Sequence, residues 1–137
     1  FFIIGRKGWL CGNTIKRILK HPQYGKRLFM AEKLSDDELL YAYKNAAGLV
    51  FTSMSEGFGL PIIEGLSFNL PVFVSDIPVH REIGRDMVYY CDLRDPHSLA
   101  EKIYKYRKPL VRNVDVRKVY SWQNSCVNLI KKIRQLV

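Results

Sequence analysis

The chain alternates between short apolar runs and longer amphipathic segments. Apolar runs of four to six residues with few polar positions inside them are typical of strands that are buried on both faces. The longer segments carry apolar residues at helical spacing. The pattern therefore predicts strands over residues 1–4, 27–31, 49–52, 72–75 and 87–91, and helices over residues 14–21, 36–45, 61–68, 96–107 and 122–136.

Capping residues mark several of the predicted helix starts. Ser35 and Glu38 have the spacing of a capping box, and Asp95 and Ser121 stand directly before a predicted first helical residue. Strands that alternate with helices through short loops indicate a parallel sheet. We therefore expect one α/β domain over residues 1–137, with a Rossmann-like parallel sheet and helices on both faces. Because the chain opens on a strand of the buried type, we also expect an earlier βα unit, so that the sequence is an N-terminally truncated part of a larger protein.

Composition excludes several classes of protein. Hydrophobic residues make up 47% of the chain, which predicts a packed core. The longest apolar runs are far shorter than the roughly 20 residues that a membrane-spanning helix needs. The three cysteines have neither metal-ligand nor redox spacing. Their odd number favours a reducing compartment, and we expect a cytoplasmic protein.

The net charge of +9 is concentrated at the two ends of the chain. Residues 1–30 hold seven basic side chains and no acidic one, whereas residues 31–100 are net acidic. A nucleic-acid-binding protein is expected to spread basic groups and aromatic residues over one face, so no nucleic-acid partner is expected. The terminal basic groups are interpreted as solvated helix faces. The alternative is an acidic partner or a peripheral contact of the last helix with an anionic membrane, at its inner face.

The segment over residues 53–65 carries the chemistry, because it lies where a predicted strand passes into a predicted helix. Ligands bind at such carboxyl ends of strands in open α/β sheets. Gly57 and Gly59 let the backbone approach a ligand closely, and the Leu60 amide with the positive end of the helix dipole favours a phosphate. Glu64, one turn into the helix, is placed to accept hydrogen bonds from a ribose diol. Glu56 lies in the loop, nearer to a sugar beyond the phosphates.

At this point the sequence resembles the retaining nucleotide-sugar glycosyltransferases of family 4, the group 1 glycosyltransferases. Their signature has two Glu separated by seven residues in the setting E-G-F-G-L-P-x-x-E-G, and Glu56 and Glu64 match it. The resemblance continues along nearly the whole chain. Residues 1–9 resemble the family's strand that ends in V-G-x-x-G-W, residues 34–46 its L-S-D-E-E-L-x-x-x-Y-x-x-A helix, and residues 71–76 its P-V-x-x-S strand. Residues 81–84 stand where the family has P-E-V-x-G, and residues 120–122 resemble its F-S-W.

The resemblance implies the donor-binding, C-terminal half of an enzyme with the two-domain GT-B architecture. Glu64 would then bind the ribose of a UDP- or GDP-sugar, and Glu56 would act as the catalytic residue on the sugar. The backbone of Phe58 and Gly59 would contact the sugar and the diphosphate, and the Leu60 amide a phosphate. The acceptor would bind to the protein's own N-terminal domain. Transfer would retain the anomeric configuration, in the biosynthesis of a polysaccharide or another glycoconjugate.

The resemblance also has implications for the nucleotide base and for metals, and this sequence departs from the family's pattern in two places. The loop around Lys33 and Leu34 would face the base of the nucleotide. No metal and no cofactor is implied, and the sequence has no D-x-D pair. The family's Arg and Lys that neutralise the pyrophosphate lie upstream of the part that this sequence covers. His80 stands where the family often has another residue, and it is interpreted as a loop histidine.

Three other classes of protein are alternatives to a glycosyltransferase. A glycoside hydrolase also uses two carboxylates, but both would have to flank one sugar, whereas Glu64 lies in a helix turn suited to phosphate. A dinucleotide-dependent oxidoreductase would need G-x-G-x-x-G after a strand, and residues 5–8 do not match it. The remaining alternative is a non-catalytic nucleotide-sugar-binding or interaction module that keeps the fold.

Overall fold

The computed structural model describes residues 1–106, 108, 110, 115 and 120–135. Strands and helices alternate along most of them. In chain order the elements are β1 (Phe2–Ile4), α1 (Gly12–Leu19), β2 (Phe29–Ala31), α2 (Asp36–Asn45), β3 (Leu49–Phe51), α3 (Leu60–Ser67), β4 (Val72–Ser75), α4 (Pro78–Gly84), β5 (Tyr89–Cys91), α5 (Pro96–Lys105) and α6 (Trp122–Arg134). Residues 107 and 136, predicted as helix ends, lie outside the described residues.

The chain forms two compact units, of which the first covers residues 1–42 and the second begins at Tyr43, within α2. In the first unit β1 and β2 pair in parallel, with Phe2 opposite Phe29. The predicted capping box starts α2: the Ser35 N–H donates to Glu38 Oε2 at 2.7 Å, and the Glu38 N–H donates to Ser35 Oγ at 3.3 Å. The box is therefore confirmed.

The second unit has a three-stranded parallel sheet in the order β3-β4-β5. All four residues of the central strand β4 are buried, because α3 and the neighbouring strands cover it. The predicted caps hold here as well, since Asp95 accepts from the Ser98 N–H at 3.0 Å and Ser121 from the Asn124 N–H at 3.1 Å. The buried core consists of Ile62, Leu66, Val72, Val74, Ile83 and Val88. Parallel strands with helices on both sides confirm the Rossmann-like α/β fold.

Two expectations about the elements are wrong. Helix α4 lies between residues 75 and 87, where the sequence pattern predicts neither a helix nor a strand. Burial on both faces holds for β4 but not for β1, where Phe2 is 50% and Ile4 41% exposed. Within the described residues β1 pairs with β2 alone, so it is an edge strand.

Candidate functional site

The signature loop, which we define as residues 53–59, connects β3 to α3. Gly59 is the N-cap residue of α3 and has φ +86°, in the left-handed region that favours glycine. It is buried, and a Cβ atom there would lie 3.4 Å from Ile62 Cδ1 and 3.5 Å from His80 Cδ2. The backbone conformation, and not lack of space, is therefore the reason for glycine at this position.

The first turn of α3 leaves the Leu60 N–H as a backbone hydrogen-bond donor for a ligand. Pro61 has no N–H, and the Ile62 N–H donates to the Gly59 carbonyl at 3.0 Å. The Leu60 N–H makes no such bond to backbone within the described residues, and Leu60 is exposed. The first turn contains no acidic residue, so an anion would meet the positive end of the helix dipole without a competing carboxylate.

Glu64 is the fifth residue of α3, so its Cα lies about 6 Å along the helix axis from that of Leu60. Its side chain is half-buried. The Tyr43 hydroxyl donates a hydrogen bond to Glu64 Oε2 at 2.7 Å. Tyr43 comes from α2, and its ring stacks on Phe68 with 5.3 Å between centroids and 4° between planes. Tyr43 stands at the Tyr of the family's helix motif, from which the sequence alone predicts no role at the site.

Glu56, Gly57 and Phe58 are the exposed part of the signature loop. Within the described residues Glu56 accepts no hydrogen bond, so its carboxylate is open to solvent and to a ligand. A Cβ atom at Gly57 would have no atom within 4 Å, which leaves room over the loop backbone. The Phe58 ring meets Tyr120 edge to face at 6.2 Å between centroids. The Tyr120 hydroxyl donates to the Ile83 carbonyl at 2.9 Å, which anchors that ring to α4.

The interpretation of His80 as a loop histidine is wrong. His80 lies in α4 and is fully buried. Its Nδ1 is 3.0 Å from both Ser75 Oγ and the Ser75 carbonyl oxygen, and Ser75 Oγ donates to the Ser53 carbonyl. Because a carbonyl only accepts, Nδ1 carries the proton. The imidazole therefore ties the end of β4 and the start of the signature loop to α4, and its Nε2 has no partner within the described residues.

Lys33 and Leu34 belong to the first unit, in the loop that connects β2 to α2. Lys33 is exposed, and Leu34 is half-buried directly before the capping box of α2. Their predicted role beside the base stays a prediction. The structure brings the other site residues together on one continuous stretch, from the signature loop into the first turns of α3: Glu56, Gly57, Phe58, Gly59, Leu60 and Glu64.

A comparison with known protein families matches residues 1–108 to the family described as glycosyl transferases group 1. This range includes the first unit, the second unit up to residue 108, and the whole of the signature loop and α3. The chain belongs to the group 1 glycosyltransferases. The resemblance proposed from the sequence is thereby confirmed.

Several curated proteins are similar to this chain over most of its length. The serotype-specific mannosyltransferase WbdA of Escherichia coli is 32% identical over 136 residues, which are 96% of this chain and 17% of that protein. The O-antigen chain mannosyltransferase RfbU of Salmonella typhimurium is 32% identical over 115 residues, 74% of this chain and 33% of that protein. The O-antigen biosynthesis glycosyltransferase WclY of Escherichia coli is 26% identical over 108 residues, 79% of this chain and 30% of that protein. The chain thus spans a third or less of the length of these relatives.

Neither a metal site nor a membrane-spanning helix is found in the described part of this glycosyltransferase chain. Within residues 1–106 and 120–135, with the single described positions between them, no group of three or more His, Cys, Asp or Glu is arranged to hold a metal ion. In the same part of the chain, every helix is too short or too polar to cross a bilayer. The absence of a metal requirement stays a prediction.

Proposed function

We propose that this chain is the donor-binding part of a retaining glycosyltransferase, which transfers a sugar from a nucleotide-sugar to a glycan, lipid or small-molecule acceptor. One observation carries the proposal: in a group 1 chain, an exposed Glu56 and a half-buried Glu64 flank the amino end of α3, which has no side-chain cap. Hydrogen-bond donors for a diphosphate and acceptors for hydroxyl groups therefore follow one another over one loop and about one helical turn.

Each part of the ligand has a group of matching chemistry. The Leu60 N–H and the dipole of α3 favour the diphosphate, because both present positive charge. The Glu64 carboxylate accepts hydrogen bonds from the ribose hydroxyls, and Glu56 from the hydroxyls of the transferred sugar. The backbone at Gly57, Phe58 and Gly59 contacts the sugar and diphosphate across the loop. No metal is included in this scheme.

The relatives suggest which sugar and acceptor to test first. Two of the three described above are named as mannosyltransferases, and two carry O-antigen in their names. We therefore propose mannose, activated as a nucleotide-sugar, and a growing polysaccharide as the acceptor. The acceptor would bind to a separate N-terminal domain, and the reaction would take place in the cytoplasm.

In the proposed reaction the bond between the anomeric carbon and the diphosphate oxygen breaks, and a bond to an acceptor oxygen forms on the same face of the sugar. The acceptor hydroxyl gives its proton to the leaving diphosphate. The transition state is oxocarbenium-like, and a carboxylate such as that of Glu56 beside the sugar stabilises developing positive charge. The configuration at the anomeric carbon is retained.

Calorimetric titration of the full-length protein with UDP and GDP tests the proposal. Glu64→Ala is expected to weaken binding by about 1–3 kcal/mol, because a charged hydrogen-bond acceptor for the ribose is lost. The loss should be similar for the two nucleotides, since the ribose is common to both. Glu101→Ala, which removes an exposed carboxylate from α5, is the matched control. Equal affinity of Glu64→Ala and the parent protein would refute the ribose assignment.

A further inference from the structure

We propose that Tyr43 is a positioning residue, which orients the Glu64 carboxylate so that it receives the two ribose hydroxyls of the nucleotide. The inference rests on the proposed function, because it assigns Tyr43 a role through Glu64. The observation behind it is the hydrogen bond from the Tyr43 hydroxyl to Glu64 Oε2 at 2.7 Å, between residues 21 positions apart in the chain.

The contact has the geometry of a strong, charge-assisted hydrogen bond. Hydroxyl donors approach carboxylate oxygens to about 2.5–2.7 Å in such bonds. Both side chains are half-buried, so water competes less for the carboxylate than it would at the surface. A free glutamate side chain rotates about three bonds, and this bond restricts that rotation.

The position of the hydroxyl is itself fixed by the helix that carries Glu64. The Tyr43 ring lies flat on the Phe68 ring, and Phe68 is the C-cap residue of α3. The Phe68 N–H donates to the Glu64 carbonyl at 3.2 Å, so the stacked ring is attached one turn from the carboxylate. Ring, hydroxyl and carboxylate are therefore held together as one group.

The protonation state of Tyr43 keeps it a hydrogen-bond donor. Burial first, and then the neighbouring Glu64 carboxylate, raise the pKa of the Tyr43 hydroxyl well above its usual value. The hydroxyl is therefore protonated at neutral pH, and it occupies one lone pair of the carboxylate. Oε1 makes no hydrogen bond within the described residues, and it is left to accept from a ligand. A vicinal diol, which offers two adjacent O–H groups, matches a carboxylate held in one orientation.

The experiment combines one substitution with a change in the ligand. Tyr43→Phe keeps the stacked ring and removes only the hydroxyl. We expect it to bind UDP and GDP about tenfold more weakly in calorimetric titrations of the full-length protein. For 2′,3′-dideoxyuridine diphosphate, which lacks the diol, the variant and the parent should bind with the same affinity. In the Glu64→Ala background, Tyr43→Phe should cause no further loss.

The controls separate positioning from a structural effect. Tyr90→Phe removes a hydroxyl that donates to the Arg85 carbonyl at 2.6 Å, and it should bind every ligand as the parent does. Phe68→Leu keeps the Tyr43 hydroxyl but removes the ring on which Tyr43 stacks. It should therefore lose affinity for the diol-containing nucleotides as Tyr43→Phe does, but by a smaller factor. Phe68→Leu provides a second test of the inference if Tyr43→Phe strongly lowers the midpoint temperature of thermal unfolding.

The outcomes distinguish this inference from the proposed function. If Glu64→Ala loses UDP affinity and Tyr43→Phe does not, the inference is wrong and the proposed function stands. A loss that is equal for UDP and the dideoxy ligand would show a structural role for Tyr43 and would also overturn the inference. If Glu64→Ala binds UDP as the parent does, the ribose assignment fails first, and the role of Tyr43 fails with it.

Discussion

Gly65 follows Glu64 in α3, and its α-carbon faces the sheet. A Cβ atom at this position would lie 2.8 Å from Leu49 Cδ2 and 3.0 Å from Val72 Cγ2. Carbon atoms that are not bonded to each other prefer separations of about 3.5–4.0 Å. Gly65→Ala therefore inserts a methyl group into space that β3 and β4 already occupy.

The size of the effect depends on which neighbour can move. Leu49 Cδ2 is at the end of a half-buried side chain and can change its rotamer, whereas Val72 is fully buried and stiff at χ1. Overpacking of this kind costs about 1–3 kcal/mol. Alanine in a helix interior returns about 0.5–1 kcal/mol relative to glycine. We therefore expect Gly65→Ala to lower the free energy of unfolding by about 1 kcal/mol, the difference between the midpoints of those two ranges.

Urea denaturation followed by circular dichroism measures this loss. Gly57→Ala is the matched control, because no atom lies within 4 Å of its Cβ position and its φ is outside the left-handed region. The control should stay within about 0.5 kcal/mol of the parent. If Gly65→Ala were as stable as the parent, or more stable, α3 could not lie as close to the sheet as the structure shows, and the packing argument would fail.

Two further predictions concern the site and the last helix. Glu56→Ala should keep the affinity for UDP and GDP while the transfer rate of the full-length protein falls, because the proposed contact of Glu56 is with the sugar. A loss of nucleotide affinity as large as that of Glu64→Ala would contradict the division of roles. Helix α6 carries three exposed apolar and three basic side chains: Leu129, Ile130, Ile133, Lys131, Lys132 and Arg134. It should therefore bind anionic but not neutral liposomes, at about 1 kcal/mol per basic group, and release them in moderate salt. Equal co-sedimentation with both kinds of liposome would refute this.

The sequence predicted best the elements that local interactions determine. The bounds of α2 and β4 agree with the prediction, and α2 has a capping box that can be read from the spacing of Ser35 and Glu38. In contrast, α4 has seven residues, and its N-cap Ile77 makes no side-chain capping bond. A helix of two turns without a polar cap leaves little signal in a sequence.

Contacts between distant residues explain what the sequence could not predict about the site. The motif Glu56 to Glu64 could be read directly, because all its residues lie on one loop and helix. Tyr43 reaches Glu64 across 21 positions, and only the packing of α2 residues against α3 brings them together. The burial of His80 has the same origin, since its ring is enclosed by Gly59 and Phe51 from other elements.

The packing of Gly65 and the position of Glu64 are coupled, because the two residues are adjacent in one helix. An added methyl group at Gly65 requires a movement of a few tenths of an ångström between α3 and the sheet. Hydrogen bonds from hydroxyl groups weaken as their length grows beyond about 3.0 Å, so a shift of Glu64 away from Tyr43 would loosen the carboxylate as well. Gly84 is the control position, because it is packed at least as closely but lies on α4, away from Glu64. A Cβ atom there would lie only 2.5 Å from Val88 Cγ2. Alanine at position 65 or at position 84 should destabilise the fold. If close packing at Gly65 also fixes the position of the Glu64 carboxylate, only alanine at position 65 weakens nucleotide binding in the folded protein.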